Sequence, residues 1–222
     1  MVVEFSWLIP GLPLISFVIP LIFGNRLRHG GGYIALGSIG ASLALAALVF
    51  LEVSLGTNFS TGQPLKLPFE VSATWFSFEN TILEGGILVD QLTAIMVLTI
   101  TLVSTLIIIF SLGYMSREKG LPRYYAIMSL FISSMLGIVT ANNFLQLYVF
   151  WELVGLCSYL LIGFWYTRPA AAAAAKKAFL VTRLGDVMLL GGILIIFNLY
   201  HTFNFLAIQE QLQLFDPSVM LG

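Results

Sequence analysis

Six runs of about twenty predominantly apolar residues, separated by short junctions, leave this chain little choice of environment. They cover roughly residues 5–23, 32–52, 88–112, 124–141, 143–165 and 172–199. A helix needs about 20 such residues to cross the hydrocarbon layer of a bilayer. Within that layer only helices and closed barrels satisfy their own backbone polar groups. Charge is correspondingly scarce, at 9% of residues against 59% hydrophobic, where a soluble domain carries about 25% charged residues. The fold expected is therefore an all-α polytopic membrane protein with the lipid bilayer as its solvent. A net charge of −1 supplies no basic field and argues against nucleic acid as a partner. The lone Cys157 excludes an internal disulfide. The N-terminus lacks a basic region followed by a small-residue cleavage site, so the first run reads as a retained helix.

The junctions alternate in charge. Arg26 and Arg28, then Arg117, Lys119 and Arg123, then Arg168, Lys176 and Lys177 mark every second junction, and Lys66 is the one basic residue of the others. Basic loops stay on the cytoplasmic side. The N-terminus and the segment after residue 200 are thus both expected outside.

The longest junction, about 54–87, has another character. Leu65-Lys66-Leu67-Pro68-Phe69-Glu70-Val71 alternates apolar residues with polar ones or proline, and Thr74-Trp75-Phe76-Ser77-Phe78 follows. That period of two suggests extended chain, either a short external β-hairpin or an irregular aromatic loop. The last long helix is expected to open at Pro169, since proline suits a first turn, and to continue through alanines to Leu199. At 1.5 Å per residue it would be about 45 Å long, enough to project or tilt. Beyond it a polar or amphipathic external segment is expected.

Charges inside such runs cost several kcal/mol and mark an ion path or a structural pair. Glu152 falls near the middle of the fifth run, on a helical stripe with Tyr148, Gly155, Tyr159 and Gly163. Such a stripe suits close packing or a file of water. Burial disfavours the charged form of a carboxylate and a nearby cation favours it, so an acid set between these effects can exchange a proton near neutral pH. The alternative is a structural acid satisfied by a neighbouring helix. Arg183 and Asp186 stand three residues apart in the sixth run, close enough to pair along a helix, as a structural pair or as a switchable element. Lys177 reads as an interfacial snorkeller or a candidate proton input. Asp90 opens the third run, where an acid complements the helix dipole. His29 and His201 lie at opposite ends of the chain and, with Cys157, form no metal pattern. No haem, iron–sulfur or phosphate-binding motif is present.

The stretch Phe150-Trp151-Glu152-Leu153-Val154-Gly155-Leu156-Cys157-Ser158-Tyr159-Leu160-Leu161-Ile162-Gly163-Phe164-Trp165 resembles the fifth helix of the L subunit (chain 5) of NADH:quinone oxidoreductase, complex I. Lys177-Ala178-Phe179-Leu180-Val181-Thr182-Arg183-Leu184-Gly185-Asp186-Val187 is similar to that subunit's sixth helix. Leu88-Val89-Asp90-Gln91-Leu92 and Ser111-Leu112-Gly113-Tyr114-Met115 are similar to the start and end of its third. The resemblance implies the N-terminal part of an antiporter-like, inverted-repeat fold. It divides the chain into two helices (1–53), the external loop (54–87), a third helix with its basic loop (88–123) and the start of the antiporter-like domain (124–222). It also implies that Glu152 carries a proton, paired with a lysine on a seventh helix beyond this sequence, and that Arg183 and Asp186 couple to a neighbouring antiporter-like subunit. Proton pumping would be driven by NADH, FMN, iron–sulfur clusters and quinone on partner subunits of a respiratory complex, with no cofactor on this chain. A prokaryotic plasma membrane is expected, with mitochondrial inner and thylakoid membranes as alternatives. A subunit of a cation/proton antiporter and a structural scaffold are the rival functions.

Overall fold

The computed structural model describes residues 2–59, 62–78 and 81–214. Six long helices carry the fold: α1 (Leu8–Phe23), α2 (Gly32–Leu55), α3 (Gln91–Tyr114), α4 (Leu121–Val139), α5 (Phe144–Ile162) and α6 (Pro169–Tyr200). All six are long and apolar enough to cross a membrane. Between α2 and α3 lie strands β1 (Phe69–Phe78) and β2 (Thr81–Val89), and a short helix α7 (Phe205–Leu214) follows α6. The amphipathic segment expected after residue 200 is α7, and the tail beyond 214 lies outside the described residues.

The hub is α4, which packs against α1, α2, α3 and α5. Its span is 56% buried, against 6% for α5 and 11% for α6, so these last two form a hairpin leaning on the bundle from one side. Tyr125, Ile132 and Leu136 fill the interior of α4, and Ser129, Ser133 and Ser134 are buried beside them. Small residues let membrane helices approach closely, and here the serines also bond outward. Ser133 donates to the Pro10 carbonyl (2.8 Å), and the hydroxyls of Ser129 and Ser16 are 3.3 Å apart. Pro13 lacks the N–H that would bind Ile9 one turn earlier. Ser42 of α2 donates to that orphaned carbonyl instead, at 3.0 Å.

Glu52 is a buried acid that the charge reading passed over. At 0% exposure its carboxylate accepts from the Val3 N–H (2.9 Å) and the Phe59 N–H (3.1 Å). It ties the chain's beginning to the outer end of α2.

The external segment is a β-hairpin, and its boundaries differ from those expected. One strand spans both alternating stretches from Phe69 onward, and its antiparallel partner is 81–89, pairing Phe69 with Val89 and Ser72 with Gly86. Leu88 and Val89 therefore belong to β2 rather than to the third helix, which starts at Gln91. Gly85-Gly86 hid the strand, because glycine carries no β signal. At Gly86 a Cβ would lie 2.4 Å from Asn142 Nδ2, so the absence of a side chain lets the hairpin seat on the α4–α5 junction. Gln146 then grips the Gly86 backbone twice, through its N–H and its carbonyl, each at 2.8 Å.

Gly137 sets the α4–α5 distance, since a Cβ there would lie 2.6 Å from the Phe150 ring. Gly137→Ala is expected to push α5 away and cost about 1–3 kcal/mol, as overpacking does. Thermal unfolding in detergent checks this, and an unchanged midpoint would show that the contact is soft.

Candidate functional site

The middle of α5 faces the middle of α6. Glu152 lies about 12 Å along α5 from Phe144, and Arg183 lies near the centre of the 32-residue α6. Glu152 Oε2 and Arg183 Nη1 form an ion pair across the two helices. The same Nη1 stands 3.4 Å from Asp186 Oδ2, one turn along α6. One guanidinium thus serves two carboxylates. The Tyr148 hydroxyl, four residues before Glu152, donates to Glu152 Oε1 at 2.8 Å. The indole N–H of Trp151 donates to Asp186 Oδ1 at 3.0 Å. Neighbours on α5 therefore meet residues three apart on α6, which the helical repeat places on one face. Below the guanidinium lies the Phe179 ring, 4.6 Å from centroid to the Arg183 carbon, within cation–π range.

The stripe read from the sequence is the seam between these helices. Gly155 faces Arg183, whose Nη2 would lie 3.8 Å from a Cβ there, an ordinary contact distance. Tyr159 packs on Phe179 with ring centroids 5.1 Å apart, and Gly163 is tight against Ala175. Of the two uses open to the stripe, close packing accounts for most of its length. A recess of about 320 Å³, lined by Tyr148, Leu153, Leu156, Glu152 and Arg183, opens beside the pair. The side chains of Glu152 and Arg183 keep 25% and 29% exposure, whereas Asp186 keeps 6%. Among the described residues, two buried polar atoms of this cluster lack a hydrogen-bond partner, Arg183 Nε and Asp186 Oδ2.

Both ends of the hairpin are pinned, which fixes this geometry. Outside, Phe144 N–H donates to the Phe203 carbonyl and Phe205 N–H to the Asn142 carbonyl, both at 3.0 Å. Asn143 caps α5 by accepting from Gln146 N–H at 2.7 Å. Glu70 of β1 accepts from Asn142 (2.8 Å) and Asn204 (2.7 Å), so the β-hairpin holds the two outer ends together. Inside, Arg123 of α4 donates to the Phe164 carbonyl at 2.6 Å.

Of the residues singled out in the sequence, Glu152, Arg183, Asp186 and Tyr148 come together, and Tyr159 stands one ring away. Lys177 is exposed on α6, about 9 Å along the axis from Arg183. Asp90 is the N-cap of α3, its Oδ1 accepting from Thr93 N–H at 2.6 Å, and takes no part in the cluster. Among the described residues no group of histidine, cysteine and carboxylate could hold a metal.

Residues 141–221 match the family described as NADH:quinone oxidoreductase/Mrp antiporter, transmembrane. Residues 75–125 match the one described as NADH-ubiquinone oxidoreductase (complex I), chain 5 N-terminus. This chain belongs to the chain 5 (subunit L) family. Its relatives include the F(420)H(2) dehydrogenase subunit L of Methanosarcina mazei, 46% identical over 87% of this chain and 27% of that protein. The chloroplastic NAD(P)H-quinone oxidoreductase subunit 5 of Mesostigma viride is 42% identical over 94% of this chain and 32% of its own length. The NAD(P)H-quinone oxidoreductase chain 5 of Synechocystis is 39% identical over 99% and 32%. The chain thus spans between 27% and 32% of the length of these curated relatives. The fold is shared, at TM-score 0.74 and 19% identity, with a chain in the structure of the membrane-bound sulfane sulfur reductase, an archaeal respiratory membrane complex. That match covers 92% of this chain and 39% of the other.

Sequence reasoning on this chain 5 homologue missed Trp151, Phe179 and the cross-helix partner of Arg183. Trp151 stood beside the acid, and its N–H had to find an acceptor if buried, but which helix would supply it was not written in the spacing. Trp151→Phe leaves Asp186 Oδ1 without its donor in a nearly closed site and is expected to cost about 1–3 kcal/mol. Tyr148→Phe, on the more open Glu152, is expected to cost about 0.5–1.5 kcal/mol. Thermal unfolding of the two variants tests the order, and the reverse order would contradict the burial argument.

Proposed function

We propose that this chain is part of a proton-translocating, antiporter-like membrane subunit of a quinone oxidoreductase complex, with Glu152 as the proton carrier. One observation carries the reading: a single arginine faces two carboxylates near the middle of two helices long and apolar enough to cross a membrane. If both acids were ionised the cluster would hold an uncompensated negative charge, which is costly in hydrocarbon. One bound proton removes it. Glu152 is the acid for that proton, because it borders the recess and keeps partial exposure, whereas Asp186 is enclosed. Movement of the Arg183 guanidinium toward Asp186 would favour protonation of Glu152, and its return would favour release. Arg183 and Asp186 are then the coupling pair toward a neighbouring antiporter-like subunit, and Lys177 an inner relay.

Family membership supports the assignment, together with the names of the relatives, which are subunits of F(420)H(2) dehydrogenase and NAD(P)H-quinone oxidoreductase. In this reading the electron donor, FMN, iron–sulfur clusters and quinone reside on partner subunits. The membrane proposed is a prokaryotic cell membrane, with the thylakoid as the alternative, since the relatives include chloroplastic subunits as well as that of Methanosarcina mazei. The family description also names antiporters, and cation-driven proton exchange without electron transfer would identify that second reading.

The test is Glu152→Gln in the assembled complex within sealed vesicles, with protons and electrons counted together. Fewer protons moved per electron pair, with assembly intact, is the expected result. An unchanged ratio would remove Glu152 from the path.

A further inference from the structure

A second recess, of about 320 Å³, opens between the inner ends of α4, α5 and α6. Arg123, Lys176, Tyr159, Tyr166, Leu160 and Ala172 line it, and among the described residues no carboxylate does. We propose that it binds the phosphate head group of an anionic phospholipid of the inner leaflet.

Charge and placement both support this. The Arg123 guanidinium is fixed by its bond to the Phe164 carbonyl and lies 5.1 Å from the Phe164 ring and 5.0 Å from the Tyr166 ring. One of its five donors is thereby used, and the others remain for a ligand. An arginine held in place loses little entropy on binding phosphate and presents a fork matched to it. Lys176 is exposed and makes no ion pair among the described residues. α6 starts at Pro169 with no side-chain cap, and Ala172 brings its electropositive first turn to the recess. The surrounding inner junctions add Arg117, Lys119, Arg168 and Lys177. Their one acid, Glu118, accepts from the Trp165 indole at 3.2 Å.

The neighbourhood selects a lipid over a free anion. The recess lies between helix ends at the basic face of a membrane protein, and basic pockets in this position hold anionic head groups. Tyr166 is 65% exposed at its rim, as interfacial aromatics are.

The experiment measures lipid occupancy and does not depend on proton transfer. The complete subunit in its complex is delipidated and titrated with phosphatidylglycerol, phosphatidylcholine or inorganic phosphate, and bound lipid is read by native mass spectrometry. Phosphatidylglycerol should bind in preference to phosphatidylcholine. Lys176→Gln should weaken phosphatidylglycerol about fivefold, the change expected for one basic residue at a membrane surface. Arg123→Lys, which keeps the charge and loses the fork, should weaken it as well, while Lys66→Gln, in the junction between α2 and β1 at the opposite ends of the helices, should not. Equal binding of both lipids, no effect of Lys176→Gln, or an equal effect of Lys66→Gln would overturn the proposal. Displacement of the lipid by inorganic phosphate would reassign the recess to a free anion and overturn it too.

Discussion

In hydrocarbon, a charge or a backbone carbonyl without a partner costs several kcal/mol, and the unusual features of this chain answer that cost. Ser42 supplies the hydrogen bond that Pro13 denies to Ile9. Glu52, fully enclosed, finds two backbone N–H groups. Arg183 sits between two acids, on an aromatic ring, with a tyrosine and a tryptophan holding the outer oxygens. The three solutions differ in consequence. The first two are closed, each polar atom having a fixed partner. The third has one cation for two anions, and among the described residues Arg183 Nε and Asp186 Oδ2 lack a hydrogen-bond partner there.

Such a cluster is useful only if its helices hold their register. A shift of one residue along α5 would rotate Glu152 by about 100° away from Arg183. The fold prevents this at both ends. Backbone bonds join the start of α5 to the segment after α6, and Glu70 of the β-hairpin bridges Asn142 and Asn204. At the other end Arg123 holds the α5–α6 loop. The hairpin is thus a strap across the outer ends of the helices that carry the charges.

The two faces of the molecule also divide the labour. Outside, uncharged amides do most of the binding, since asparagine and glutamine can grip backbone and carboxylate at once. Inside, arginines stack on aromatic rings at Phe164, Tyr166 and Trp165. The basic residues of these junctions thus also fasten their loops.

The sequence by itself determined the membrane class and the six helices, because a bilayer imposes length and polarity rules on each segment separately. It also disclosed Glu152, Arg183 and Asp186, since any charge stands out in an apolar run. Boundaries near Leu88 and the pairing of β1 with 81–89 were not legible, because the glycines of β2 serve packing against Asn142 rather than strand propensity. Only the tertiary structure decided which charge meets which. Arg183 and Asp186 were visible as neighbours three apart, but the contacts of Arg183 with Glu152 and of Asp186 with Trp151 cross about thirty residues of chain. They exist because α5 and α6 pack along one seam, closely enough at Gly163 and Ala175 that a Cβ on Gly163 would lie 3.3 Å from that of Ala175.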